Sequence, residues 1–114
     1  MSKHESILAY RHMLENAQKA TGLVKGKKRT FLDDEWVTTL ALVRLLEVIG
    51  EAANRVPENE QRQHSEIPWV QIVGMRNRLI HGYDSIDLDI LWQVLTQDLP
   101  PLIKALQQII RSFK

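Results

Sequence analysis

Cysteine is absent from this chain of 114 residues. Without thiols the protein has no disulfide framework, no thiolate metal site and no cysteine nucleophile, a composition that suits a reducing cytosol. The sequence also has no apolar run long enough to span a membrane, and its first residues lack the profile of a signal peptide. We therefore expect a cytoplasmic protein that makes no contact with a membrane.

The sequence carries little net charge of either sign, only +1 at pH 7. This balance excludes a generally cationic nucleic-acid binder, so any contact with RNA or DNA must come from a local patch. One basic segment, Lys25–Arg29, has four cations in five residues. Such a segment is either solvated or contacts a phosphate backbone or an acidic partner, and its role stays open.

Strand-like alternation, internal repeats and low-complexity segments are missing as well, and the apolar residues follow helical spacing instead. We expect one all-α domain over residues 1–114, a bundle of four main helices. The polar segment 56–68 should be a connection with at most a short helical turn, and His64 within it a surface residue. The predicted helices cover 6–20, Asp33 or Asp34 to Asn54, 68–82, and a last one with Ser85 or Asp87 as N-cap, which Pro100 and Pro101 kink but do not end.

The second predicted helix is unusually apolar. Its polar residues recur three and four positions apart and form a single narrow stripe, namely Arg44, Glu47, Glu51 and Asn54. A surface helix of a monomer shows a wider polar face than this. The helix therefore either lies at the centre of the bundle or buries a second side in a partner, for which homodimerisation is the economical interpretation.

The stretch from Arg76 to Tyr83 gathers two guanidinium groups, an amide, an imidazole and a phenol within eight residues. Gly82 is a natural helix stop, which would place His81 at or near a helix C-terminus, where the dipole favours imidazolium. A histidine that gains and loses protons beside fixed positive charge suits acid–base catalysis on a phosphate ester. The alternatives are a histidine that only caps the helix and arginines, Arg76 and Arg78, on a solvated face.

The sequence has no glycine-rich phosphate loop and no convincing hydrolase triad. Asp84, Asp87 and Asp89 suit helix capping better than magnesium binding, so we expect no metal and no other cofactor. RNA is the substrate best suited to catalysis by a histidine and an arginine, because its 2′-OH is a nucleophile that DNA lacks. On an ideal helix Arg76 and His81 point roughly 140° apart. They share a cleft only if the last turn is distorted or two copies meet across a two-fold axis, which favours a homodimer.

The pattern Arg76-x4-His81-x-Tyr83 resembles the Arg-x4-His-x-Tyr signature of HEPN-domain toxins, specifically the toxins of HepT–MntA toxin–antitoxin modules. The sequence on either side of this motif resembles that family too, and the similarity extends over nearly the whole chain. The segments that carry it are 46–53, 66–69, 72–83 and 98–100.

The resemblance implies an all-α HEPN fold, a homodimer with a composite cleft, and an endoribonuclease that works without metal. It assigns catalysis to Arg76 and His81, with Asn77 and Arg78 in support. It also implies a cognate partner, a minimal nucleotidyltransferase antitoxin of the MntA type, which in this family can transfer AMP from ATP to the motif tyrosine, here Tyr83. An AMP group beside Arg76 would compete with the phosphate of RNA.

A second class of function stays open. Some HEPN-like helical bundles are non-catalytic partners or nucleotide-binding subunits of nucleotidyltransferases. If the chain is modified, Tyr10 is the other tyrosine to consider as the acceptor.

Overall fold

In a computed structural model of the chain, residues 3–81 and 85–113 are described. The interpretations that fall on Gly82 as a helix stop, on Tyr83 as an acceptor and on Asp84 as a turn residue lie outside these residues. Within the described part, no helix is long and apolar enough to cross a membrane.

The described residues form a helical bundle, which confirms the all-α prediction. Two very short strands pair antiparallel, with Ile80 opposite Ile86 and His81 opposite Ser85. The elements in chain order are α1 (Lys3–Val24), α2 (Phe31–Asp34), α3 (Trp36–Asn54), α4 (Glu58–Gln63), α5 (Trp69–Val73), α6 (Met75–Leu79), β1 (Ile80–His81), β2 (Ser85–Ile86), α7 (Leu88–Gln93), a π-helical segment (Val94–Asp98) and α8 (Leu99–Ser112).

The core lies where α1 packs against α3 and α8. Each of these helices contributes apolar side chains at a spacing of three or four residues, so that one stripe of each faces inward. The fully buried side chains include Tyr10, Met13, Leu42, Leu46, Ile49 and Leu106. The rest of the molecule is arranged around this three-helix centre, and α5 and α6 pack on the later half of α3.

The first two predicted helices differ from the structure at their ends. Helix α1 continues through Gly22 to Val24, because apolar packing persists to that residue. The acidic pair Asp33 and Asp34 lies in the separate helix α2, since Glu35 leaves the helical conformation before α3 begins. Thr39 of α3 fixes the break, because its hydroxyl donates a 2.8 Å hydrogen bond to the backbone carbonyl of Leu32 in α2.

The third predicted helix is not one helix. It breaks at Gly74, between α5 and α6, and ends at Leu79. Gly50 of α3 explains the close packing here: a Cβ atom at this position would lie 2.7 Å from the carbonyl oxygen of Ile72. His81 therefore lies near the helix C-terminus, as predicted, but two residues past the end of α6 and in strand β1.

The last helical run agrees better with the sequence. Asp87 is the N-cap of α7, since its side chain accepts a 3.0 Å hydrogen bond from the backbone N–H of Ile90, whereas Ser85 lies in β2. Pro100 and Pro101 occupy the first turn of α8, where a missing N–H needs no partner. Helical backbone thus continues past the prolines, and the irregularity takes the form of the π-helical segment before them.

The polar connection contains α4, which α1 holds in place. The hydroxyls of Ser6 and Tyr10 donate hydrogen bonds of 2.6 and 3.1 Å to the two carboxylate oxygens of Glu60. His64 is half-buried rather than on the surface, and its ring meets that of Tyr10 edge-on at 5.9 Å between centroids. The interpretation of His64 as a surface residue was therefore wrong.

Candidate active site

Arg76 projects from α6 towards the middle of α3. Its Nε lies 3.5 Å from Oε2 of Glu47, and the arginine side chain is 73% exposed while that of Glu47 is 20% exposed. On the same helix, Arg44 before Glu47 and Glu51 after it form an ion pair of 3.2 Å. The narrow polar stripe that the sequence shows on this helix is thus the surface on which Arg76 rests. The guanidinium keeps most of its surface open to a ligand.

His81 is placed by the strand pair and by Asp87. Its Nε2 lies 3.5 Å from Oδ2 of Asp87, and the two side chains are 58% and 32% exposed. The other carboxylate oxygen of Asp87 accepts from the N–H of Ile90, and the backbone N–H of Asp87 donates a 2.8 Å hydrogen bond to the carbonyl of Leu79. An imidazole and a carboxylate in this relation resemble the base and orienting group of many hydrolytic sites.

Arg78 faces the opposite side of α6 from Arg76, as expected for two residues that are two positions apart on a helix. Its Nη2 lies 3.5 Å from Oδ2 of Asp98 in the π-helical segment. The pair borders a cavity of 260 Å³, which is lined among others by Ile72, Met75, Leu99 and Leu102. Arg78 therefore contacts a different surface from Arg76. Asn77 between them is exposed.

The structure keeps Arg76, Asn77 and His81 exposed around the end of α6. Because the helix ends before His81, the angle expected on an ideal helix does not apply to Arg76 and His81. The homodimer thus loses that argument and stays a prediction. Two residues of the site were missed: Glu47, seen only as part of a polar stripe, and Asp87 as a contact of His81, seen only as a helix cap. No local signal links either to its partner.

Of the three carboxylates weighed as metal ligands, Asp87 and Asp89 have other contacts, and Asp84 lies outside the described residues. Asp89 accepts hydrogen bonds of 3.1 and 2.9 Å from Arg29, which also contacts Asp33 at 2.8 Å. The hydrogen bonding of the Arg29 guanidinium to the carboxylate of Asp89 raises the pKa of Arg29. Asp87 caps α7, as described above. Among residues 3–81 and 85–113, no group of three histidine or acidic side chains is placed to hold a metal ion.

The basic segment divides into two parts. Arg29 ties the loop after α1 to the first turn of α7 through Asp89. The ammonium group of Lys27 lies 5.3 Å from the centre of the Phe31 ring, and the lysines of the segment are exposed. Arg29, one of the four cations, thus forms ion pairs within the fold. The exposed lysines are the residues of the segment that remain able to contact a phosphate.

Tyr10 is not available to a modifying enzyme in the folded protein. Its side chain is fully buried, and its hydroxyl donates to Glu60. Burial, strengthened by the neighbouring carboxylate of Glu60, raises the pKa of the Tyr10 phenol. The oxygen is therefore both shielded and held in its neutral form.

The comparisons with known proteins agree with one another. The model of the family described as HepT-like, "Ribonuclease HepT-like", matches residues 13–109. "Putative RNase TTE0752" of Caldanaerobacter subterraneus is 35% identical over 103 residues, which cover 90% of this chain and 92% of that protein. "Probable ribonuclease HepT" of Thermococcus cleftensis is 34% identical over 98 residues, covering 82% and 89%. No solved structure matches the chain significantly.

Proposed function

This chain belongs to the HepT-like ribonuclease family, and from that premise we propose that it is the toxin of a toxin–antitoxin pair, an endoribonuclease that needs no metal ion. The observation that carries the proposal is the arrangement at the end of α6. Arg76 and His81 are exposed there, and each contacts a carboxylate that another element holds. A cation and an imidazole in one short stretch supply the two functions that cleavage of RNA requires.

The reaction we propose uses the nucleophile that RNA itself provides. His81 accepts the proton of a 2′-OH while the 2′ oxygen attacks the adjacent phosphorus. The bond from phosphorus to the 5′ oxygen breaks, the leaving oxygen takes up a proton, and the products are a 2′,3′-cyclic phosphate and a 5′-hydroxyl. Arg76 stabilises the charge that develops on the phosphoryl oxygens. DNA lacks the 2′-OH and is not cleaved.

A homodimer is part of the proposal, and the first half of α3 supports it. Trp36, Val37 and Leu40 lie within about one turn of each other and are between 51% and 68% exposed. Large apolar side chains grouped in this way typically mark an interaction surface. Arg44 and Glu47 continue the same helix towards Arg76, so a second copy on this surface would bring both Arg76 side chains near one cleft.

The partner we propose is a minimal nucleotidyltransferase antitoxin that transfers AMP to Tyr83. Two observations support Tyr83 as the acceptor. It follows His81 closely in the chain, and Tyr10 is buried with its hydroxyl bonded to Glu60. A phosphodiester anion attached there would compete with RNA for Arg76.

RNA cleavage in excess EDTA tests the proposed activity. We expect cleavage of single-stranded RNA with 2′,3′-cyclic phosphate ends, identified by mass spectrometry, and no cleavage of the DNA of the same sequence. His81→Ala should lose the activity, whereas His12→Ala, at an exposed position on α1, should keep it. Strict dependence on added magnesium would contradict the metal-free mechanism, and a folded His81→Ala variant with full activity would remove His81 from the site.

A further inference from the structure

Asp87 makes three contacts that fix its carboxylate beside His81. Its backbone N–H donates a 2.8 Å hydrogen bond to the carbonyl of Leu79, and its Oδ1 accepts a 3.0 Å hydrogen bond from the N–H of Ile90, which caps α7. Its Oδ2 lies 3.5 Å from Nε2 of His81. The first two contacts fix the backbone and Oδ1 of Asp87. The position of Oδ2 relative to His81 is therefore fixed as well. Strand pairing of His81 with Ser85 fixes the backbone on the imidazole side.

We propose that Asp87 is the positioning residue of His81: it holds the hydrogen on Nε2, so that Nδ1 is the nitrogen that exchanges protons with RNA. The proposal rests on the function proposed above. It adds a residue outside the Arg-x4-His-x-Tyr pattern and assigns a separate task to each ring nitrogen.

The chemistry follows from what a carboxylate can accept. An ionised carboxylate has no hydrogen to donate, so it favours the neutral tautomer that carries a hydrogen on the nitrogen facing it. With Nε2–H directed at Asp87, the lone pair of Nδ1 is free to take the 2′-OH proton. The imidazolium that results is stabilised by the negative charge of Asp87, as in other histidine–carboxylate pairs. A contact of this length commonly shortens when substrate binds.

The helix cap allows the orienting role of Asp87 to be separated from its structural role. Asn, Asp and Ser are nearly equivalent as N-caps, so Asp87→Asn and Asp87→Ser should both keep α7 and the fold. In Asp87→Asn the amide oxygen keeps the cap, and the amide NH2 then faces Nε2 of His81. Since that group donates, it favours the tautomer with hydrogen on Nδ1, which is the wrong one. The Ser side chain is too short to reach His81 and leaves the tautomer to solvent.

We therefore expect the Asn variant to be worse than the Ser variant, an order that a purely capping residue does not predict. Asp87→Asn should lower kcat on a defined RNA oligonucleotide by roughly 100-fold, less than for the buried aspartate of a serine protease because this site is half-exposed. Asp87→Ser should lower kcat by roughly 10-fold, and KM should change little in both, since the proposed role of Asp87 acts through His81.

Side-chain 15N NMR reads the tautomer directly and does not depend on activity. The protein has four histidines, and the His81 resonances are assigned by their loss in His81→Gln. We expect Nε2–H in the wild type and a switch towards Nδ1–H in Asp87→Asn. Equal kcat for wild type, Asn and Ser variants, or an unchanged tautomer in Asp87→Asn, would overturn the proposal. If the tautomer switches but the wild type cleaves no RNA, the positioning role stands and the proposed function fails.

Discussion

Oε2 of Glu47 and Nε of Arg76 lie 3.5 Å apart, so the long helix α3 holds the motif arginine through a side chain that is itself mostly covered. Gly50, nearly one turn further along α3, lets the backbone around Ile72 approach closely enough for this contact. The pair orients the guanidinium without burying it. Because exposed ion pairs contribute about 0–1 kcal/mol, an RNA phosphate can replace Glu47 at low cost.

Removing the charge of Glu47 should strengthen RNA binding. In Glu47→Gln the carboxylate no longer competes with phosphate for Arg76, so we expect the Kd for RNA to fall roughly two- to fivefold, the range of an exposed ion pair. Fluorescence anisotropy with an RNA that carries 2′-O-methyl groups measures binding without cleavage. Glu51→Gln is the matched control, since it makes the same charge change on the same helix but pairs with Arg44. Equal tightening in both variants would show a general charge effect.

Gly50→Ala should destabilise the protein. Its Cβ would lie 2.7 Å from the backbone oxygen of Ile72, and backbone cannot move aside as a side chain can. We expect a loss of about 1–3 kcal/mol in the free energy of unfolding, measured by urea denaturation. Gly22→Ala on α1 is the control, because nothing lies within 4 Å of the added atom. That variant should gain roughly 0.5–1 kcal/mol from helix propensity. A neutral Gly50→Ala would contradict the close packing.

The stability of the protein should fall at alkaline pH through Tyr10. Burial raises the pKa of its phenol above the usual value of about 10. Its contribution is complete below about pH 10 and is lost as the pH rises further, because only the unfolded chain then ionises readily. Tyr10→Phe should be less stable by about 1 kcal/mol at neutral pH, from the lost hydrogen bond to Glu60. That deficit should shrink or reverse at about pH 11. Urea denaturation at both pH values checks it, and a constant deficit would be the contrary result.

Charge on the exposed apolar surface of α3 should separate the proposed dimer. Leu40→Glu would bury a carboxylate against a second copy, which is unfavourable without a partner for the charge. We expect the wild type to be a dimer by light scattering at micromolar concentration and Leu40→Glu a monomer with unchanged helix content. Leu23→Glu, an exposed leucine on α1, should remain dimeric. A monomeric wild type would refute the dimer, and a dimeric Leu40→Glu would move the interface elsewhere.

Tyr83→Phe should retain most ribonuclease activity and escape neutralisation. The proposed mechanism assigns no proton transfer to the phenol of Tyr83, but its oxygen is the proposed acceptor of AMP. After incubation with the nucleotidyltransferase antitoxin and ATP, intact-mass spectrometry should show AMP added to the wild type and none to Tyr83→Phe. Tyr10→Phe is the control and should be modified as fully as the wild type, since Tyr10 is buried. Undiminished modification of Tyr83→Phe would place the acceptor on another residue type.

The sequence by itself determined the features that depend on neighbouring residues. Apolar spacing located α1, α3 and the last helical run, because each buries one stripe of its own side chains. The cap of α7 was narrowed to Ser85 or Asp87, since a cap bonds an N–H only a few residues away, and the structure has Asp87 in that role. The polar stripe of α3 was also visible, although what rests on it was not.

Tertiary structure alone decided how the motif is presented. Helical periodicity predicts one helix through the motif. In the structure the backbone around Ile72 packs closely on Gly50 of α3, and the helix breaks at Gly74. His81 pairs with Ser85 in a strand and so lies outside the helix. The contacts of Arg76 with Glu47 and of His81 with Asp87 join different elements. Such contacts depend on how elements pack, and residue spacing within one element carries no information about that packing.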